Sequence, residues 1–240
     1  MKLPAPQTEK PQSHVTPEQA ISIEEHLTQP RHRMAWKLML WAGNRCGEIR
    51  GLRWRSVHWE QNTILVTESV WEGNSTQPKT KRGYRKVILT PAQIAELKKY
   101  KDENCPNAGP DDWLFPGRGK RPMDMHWFMS EHIKPVAEKL GIEGIHWHAL
   151  RHLNNSLMLN EGVDVATRMD RLGRVSDQVN LIYSHSEDQA QVAASQAIER
   201  RLDAARKRLQ EKREAGSKAP LSLLSVTLTV TPNQGLPVSP

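Results

Sequence analysis

In the stretch HALRH, residues 148–152, an imidazole and a guanidinium stand three positions apart in what reads as a helix. At that spacing His148 and Arg151 share a face and can converge on one ligand. Arg45, in AGNRCGEIRGLRW, follows a helix-breaking glycine, and Glu48 one turn onward can hold its guanidinium in a fixed orientation. Guanidiniums are permanently charged, bidentate donors suited to phosphate oxygens. Lys79 sits in PKTKRGYRK, a basic hairpin tip that suits a nucleic-acid groove. Tyr183 ends RLGRVSDQVNLIY and is one of three tyrosines in a chain with eight tryptophans. Taken singly, each has a plainer reading: a packed or exposed histidine, a surface ion pair, a solvated lysine, a tyrosine at the edge of a core.

The elements that must position these groups follow from caps and periodicity. Thr16 before Pro17, with Gln19 as reciprocal partner, predicts a helix start, and Ala20, Ile21, Ile23 and Leu27 recur at helical spacing. A second helix is expected over about 31–42, ended by Gly43 and Asn44, and a short third over about 46–54. TILVTESV reads as one strand, and TKRGYRKVILT, after the turn-forming GNSTQP, as its returning partner. Thr90 and Pro91 repeat the cap-plus-proline signal for a helix over about 91–101. Further helices are expected at about 123–140, 148–161, 164–172, 176–183 and 187–214. The fold class is therefore mainly α with a small antiparallel β-sheet, an α+β arrangement. The partition is a flexible segment 1–15, a domain 16–201, a charged helical extension 202–215 and a tail 216–240 whose Pro, Ser and Gly favour disorder.

Composition narrows the partners. The chain has 240 residues, a net charge of +7 and 37% hydrophobic residues, a balance that raises the prior for a polyanionic partner. Between Arg45 and Leu89 nine Lys and Arg face four Glu, which reads as a phosphate surface; within it Lys81, Arg82, Arg85 and Lys86 are the candidate DNA contacts. No apolar run reaches the ~18 residues of a membrane span and no secretory leader opens the sequence, so a cytoplasmic location is expected. Cys46 and Cys105 lie far apart with no Cys-x-x-Cys partner and read as free thiols. No clustered Asp/Glu site and no Gly-rich phosphate loop are present, so no metal or other cofactor is expected.

The order Arg45, Lys79 on a hairpin, His148-x-x-Arg151, Leu172-Gly173-x, and Tyr183 nine residues beyond that x resembles the tyrosine recombinase or phage integrase family. The resemblance runs from about Thr16 to Arg201 and so takes in a whole catalytic domain. It implies that Arg45 and Arg151 hold the non-bridging oxygens of a scissile phosphate, that Lys79 protonates the leaving 5′-hydroxyl, that His148 takes or orients the tyrosine proton, and that Tyr183 is the nucleophile. A tyrosine of ordinary pKa ~10 needs such cations before it attacks well. The implied product is a 3′-phosphotyrosyl link that a second strand's hydroxyl can reverse, needing neither metal nor ATP. Double-stranded DNA and a homo-tetramer on that DNA are the implied partners, the latter coupled through the helix and tail after the tyrosine.

Two features depart from the family pattern. Its usual Leu-Gly-His reads Leu172-Gly173-Arg174 here; an arginine can donate to a phosphate oxygen as a substitute catalytic group but cannot serve as a neutral base. Only about fifteen residues precede the Thr16 helix, so the helical clamp domain usual in the family is expected to be absent or supplied by another chain. The leading reading is a DNA-cleaving and rejoining recombinase for integration or excision. The rival is a catalytically impaired relative that holds DNA or a partner integrase, and a topoisomerase-like strand swivel is more distant.

Overall fold

A computed structural model describes residues 15–71, 74–76, 84–119, 121–173 and 188–217. Helix α1 (Pro17–His26) starts with the expected capping box, in which Thr16 and Gln19 each satisfy the other's backbone N–H. Helix α2 (Pro30–Ala42) is mostly buried and ends at Gly43, whose left-handed φ of 64° is open to glycine at no steric cost. Helix α3 (Cys46–Arg50) is shorter than expected. Gly51 closes it where a Cβ would lie 2.8 Å from the Glu68 carbonyl oxygen, and Trp54–Ser56 form a separate 3₁₀ turn.

The expected single strand TILVTESV is two strands in two sheets. β1 (Val57–His58), β2 (Thr63–Val66) and β5 (Arg85–Ile88) form an antiparallel sheet in the order β1-β2-β5, with Val66 opposite Arg85 and Ile64 opposite Val87. β3 (Ser69–Trp71) pairs instead with β4 (Asn74–Thr76). The break falls at Thr67–Glu68, where the Arg53 guanidinium binds the Glu68 carboxylate at 2.8 Å.

Helix α4 (Pro91–Asn104) carries the second capping box, Thr90 with Gln93. Its C-terminal side leads to α5 (Met125–Phe128), which passes through a π-helical turn (Met129–Ile133) into α6 (Lys134–Lys139). α7 (Trp147–Asn160), α8 (Val165–Leu172) and α9 (Asp188–Ser217) complete the described chain. One core joins α1, α2, α4, α7 and α9 around Trp36, Leu38, Ile21, Leu150, Ile198 and Leu202. Burying each such side chain contributes ~1.5–3 kcal/mol relative to exposure.

α9 runs unbroken through the boundary expected after Arg201. Leu202 and Ala205 are 1% and 0% exposed in the same core, and Arg208 and Arg213 pair with Glu18 and Glu25 of α1. Leu202 and Ala205 thus pack in the same core as Ala194 and Ile198, and Val15 before α1 is buried too. The expected helix 176–183 and the tail beyond Ser217 lie outside the described residues. Both cysteines are unpaired thiols. Among the described residues no helix is long and apolar enough to cross a membrane, and no group of three or more His, Cys, Asp or Glu gathers to hold a metal.

Candidate active site

The site is built where α2 ends, α3 begins and α8 ends. Asn154 on α7 donates its amide to the carbonyls of Leu40 at 2.7 Å and Trp41 at 3.2 Å, which fixes the C-terminal turn of α2. Gly43 reverses the chain there, Asn44 is buried behind it, and Arg45 becomes the N-cap of α3. Glu48, one turn on, accepts from the Arg45 backbone N–H at 2.8 Å and from its guanidinium at 2.9 Å. Each Glu48 oxygen also accepts from Arg85 of β5, at 3.1 Å and 2.7 Å. The carboxylate thus has both oxygens shared between two arginines.

The end of α8 draws the same arginines together. The last carbonyls of a helix lack intrahelical partners and carry partial negative charge, so cations gather there. Three successive ones are each taken by a different guanidinium. Arg85 Nε donates to the Arg171 carbonyl at 2.9 Å, Arg151 to that of Leu172, and Arg45 to that of Gly173 at 3.1 Å. Arg151 also reaches the Gly43 carbonyl at 2.8 Å, which ties α7 to the α2–α3 turn. Gly173 holds φ 61°, the left-handed conformation that ends α8 and turns the chain toward Arg174.

Charge follows from burial. Burial alone would raise the Glu48 carboxyl, but the hydrogen bonds and charge of Arg85, with those of Arg45 after it, hold it down at about 2. It is an anion at any physiological pH. Arg171 is fully buried and donates to the carbonyls of Ile88 at 2.9 Å and Trp41 at 3.0 Å; burial, then the charge of Arg85, lowers its proton affinity. Four arginines around one carboxylate leave the region cationic, as a site for an anion must be.

Of the residues singled out in the sequence, the fold brings Arg45, Glu48 and Arg151 together. His148 lies on the first turn of α7, exposed, while Arg151 one turn on is buried, so the pair spans surface and core on one helix face. Lys79, Lys81, Arg82, Arg174 and Tyr183 lie outside the described residues.

Arg85 is 7% exposed, and its donors go to Glu48, to Asn44 at 3.1 Å and to the Arg171 carbonyl, so its guanidinium is engaged within the fold. Lys86 is exposed and pairs with Asp188. Arg53 lies over Trp113 at 3.5 Å and binds Glu68, and Arg55 pairs with Asp111. The one-sided count between Arg45 and Leu89 omits Asp111 and Asp188 because they come from distant sequence. Arg85 itself was legible: residues two apart in a strand share a face, and Val87 is a core residue. Asn154 and Arg171 carry no local signal, since they donate to backbone carbonyls far along the chain, and the Asn44 amide oxygen accepts from the equally distant Arg85.

The family model described as "Phage integrase family" matches residues 14–190, a span that includes every candidate catalytic residue. The chain belongs to the phage integrase family. Among curated members, the ICEBs1 integrase of Bacillus subtilis is 27% identical over 60% of this chain, and the tyrosine recombinase XerD of Rhizobium meliloti is 29% identical over 42% of it. The aligned region spans only 42% and 33% of those integrase-family proteins. Among solved structures, the XerA recombinase matches 79% of this chain and 64% of its own with a TM-score of 0.56 at 22% identity. An integrase of the Tn1549 transposon, in complex with transposon right-end DNA, matches 76% of this chain and 65% of its own with a TM-score of 0.60 at 20% identity. The mostly helical integrase fold with its small antiparallel sheet is thus shared.

Proposed function

We propose that this chain is a site-specific DNA recombinase that cleaves and rejoins strands through a 3′-phosphotyrosyl intermediate on Tyr183. The observation that carries the reading is the convergence of Arg45 and Arg151 on the turn Leu172–Gly173, one residue before Arg174 and ten before Tyr183. Two forked cations held at one point are what the equatorial oxygens of a phosphoryl group require. In this reading Lys79 protonates the leaving 5′-hydroxyl, His148 handles the phenol proton, and Arg174 donates to a phosphate oxygen in place of the family's histidine. Tyr183 attacks phosphorus, the P–O5′ bond breaks, and the phosphotyrosyl bond retains the energy for rejoining. The substrate is double-stranded DNA, engaged by a tetramer.

The test is incubation with a nicked suicide duplex, scored for an SDS-stable protein–DNA adduct. The adduct forms with the native chain and is abolished in Tyr183→Phe; an adduct that persists in that variant sinks the assignment of the nucleophile. Arg174, which cannot act as a neutral base, favours one second reading: an impaired relative that binds DNA or a partner integrase. DNA binding with no adduct at any pH supports that reading instead.

A further inference from the structure

We infer that Arg85 is a positioning residue for the strand-cleavage reaction proposed above, fixing Glu48 and, through it, the Arg45 guanidinium against the end of α8. The inference rests on that functional reading. Both Glu48 oxygens accept one hydrogen bond from Arg45 and one from Arg85, so Arg85 removes the rotation Glu48 would otherwise keep. The same guanidinium reaches Asn44, next to Arg45 in sequence, and the Arg171 carbonyl, next to the two carbonyls that Arg151 and Arg45 take. Its partners therefore lie on all three chain segments that meet at the site.

The local sequence is fitted to it. A Cβ at Gly173 would lie 2.9 Å from an Arg85 guanidinium nitrogen, so glycine there both ends α8 and admits the arginine beneath the turn. Burying a guanidinium costs desolvation free energy, and an apolar residue beside Val87 would fill an inward strand position at lower cost. A lysine carries the charge but not the planar fork that grips both carboxylate oxygens. The arrangement serves orientation of Arg45, whose own side chain remains 46% exposed and open to a phosphate.

The experiment is a cycle of Arg85→Gln, Glu48→Gln and the double variant, read by the single-turnover rate of adduct formation on a nicked suicide duplex and by DNA affinity. Arg85→Gln is expected to slow adduct formation by ~10- to 100-fold, the range for groups that orient a directly acting residue, with affinity within ~3-fold. In the Glu48→Gln background its effect is expected to shrink below ~3-fold, because the two act as a unit. An equal effect in both backgrounds, a parallel loss of affinity, or an unchanged rate overturns the role. If Arg85→Gln does not fold, Arg85→Lys takes its place in the cycle, and an unaltered rate there overturns the role equally. A native chain that forms no adduct overturns the proposed function and this role together, whereas an active native chain indifferent to Arg85 overturns this role alone.

Discussion

The Arg45 guanidinium donates to the Gly173 carbonyl at 3.1 Å, joining residues 128 positions apart. Gly173 is the last described residue before the segment that carries Arg174 and Tyr183. The first candidate catalytic arginine is thus bonded to the point from which the rest of the candidate machinery departs. Arg151 makes the neighbouring bond to Leu172, so the two arginines hold adjacent peptide units.

These two arginines should separate stability from chemistry. Arg45 is half-exposed, and Arg45→Ala is expected to change unfolding free energy by no more than ~1 kcal/mol. Arg151 is buried, and Arg151→Ala strands the Gly43 and Leu172 carbonyls, with an expected loss of ~2–3 kcal/mol. Both are expected to slow adduct formation by ~100-fold or more. Urea unfolding beside single-turnover cleavage measures both effects.

Gly43→Ala is expected to be among the most damaging single-methyl changes. The residue sits at φ 64°, and a Cβ would lie 2.6 Å from both Asn154 Oδ1 and a Leu172 methyl. Asn154 holds the end of α2 and Leu172 the end of α8, so the clash moves both walls of the site. A loss of ~2 kcal/mol or more is expected, with a greater fall in adduct formation than Ala substitution at an exposed helix position produces. Thermal unfolding and the suicide-duplex assay check the pair of effects.

His32 gives the fold a pH dependence. Its ring is 1% exposed, stacked on Phe128 at 4.8 Å and 4.1 Å from the ring of His132. Burial, then the nearby charges of His132 and Arg31, pushes it down to about 4 from its usual 6.5. The unfolded chain therefore takes up the proton first, so stability is lost as pH falls from about 6.5 toward 4. Between pH 7 and pH 5 the expected loss from this group is roughly 2 kcal/mol, and His32→Phe is expected to flatten the profile. Urea midpoints at the two pH values decide it; equal slopes for both proteins rule it out.

Arg174→His tests whether arginine serves in the histidine's place. If Arg174 is an adequate donor to the transition state, the substitution is expected to leave adduct formation within ~3-fold. A large increase means that arginine impairs the native site.

Much of the scaffold could be read from the chain because its signals are local. The capping boxes at Thr16 and Thr90, the left-handed Gly43 and the β-branched run of β2 depend on residues within a turn of one another. The elements misread are those settled by distant contacts: α3 stops at Arg50 because Gly51 meets Glu68, and one apolar run serves two sheets because Arg53 binds at their junction. For the site, Arg45, Glu48 and Arg151 were legible by type and spacing. The burial of Arg85 does not show in a charge count, which ignores which side of a strand a residue faces. Arg171 was missed because nothing beside it announces partners on α2, β5 and α9.

Helix α9 packs on α1 and is stapled to it by Arg208–Glu18 and Arg213–Glu25. These bonds span up to 190 positions, so the first described helix meets the last described one only after the chain between them has been made. Contacts of such separation slow folding, because the intervening chain must be ordered first. Ile21 and Ile23 of α1 share one core with Leu202 and Ala205 of α9, so chaperone capture competes with folding for as long as that core waits for its C-terminal part.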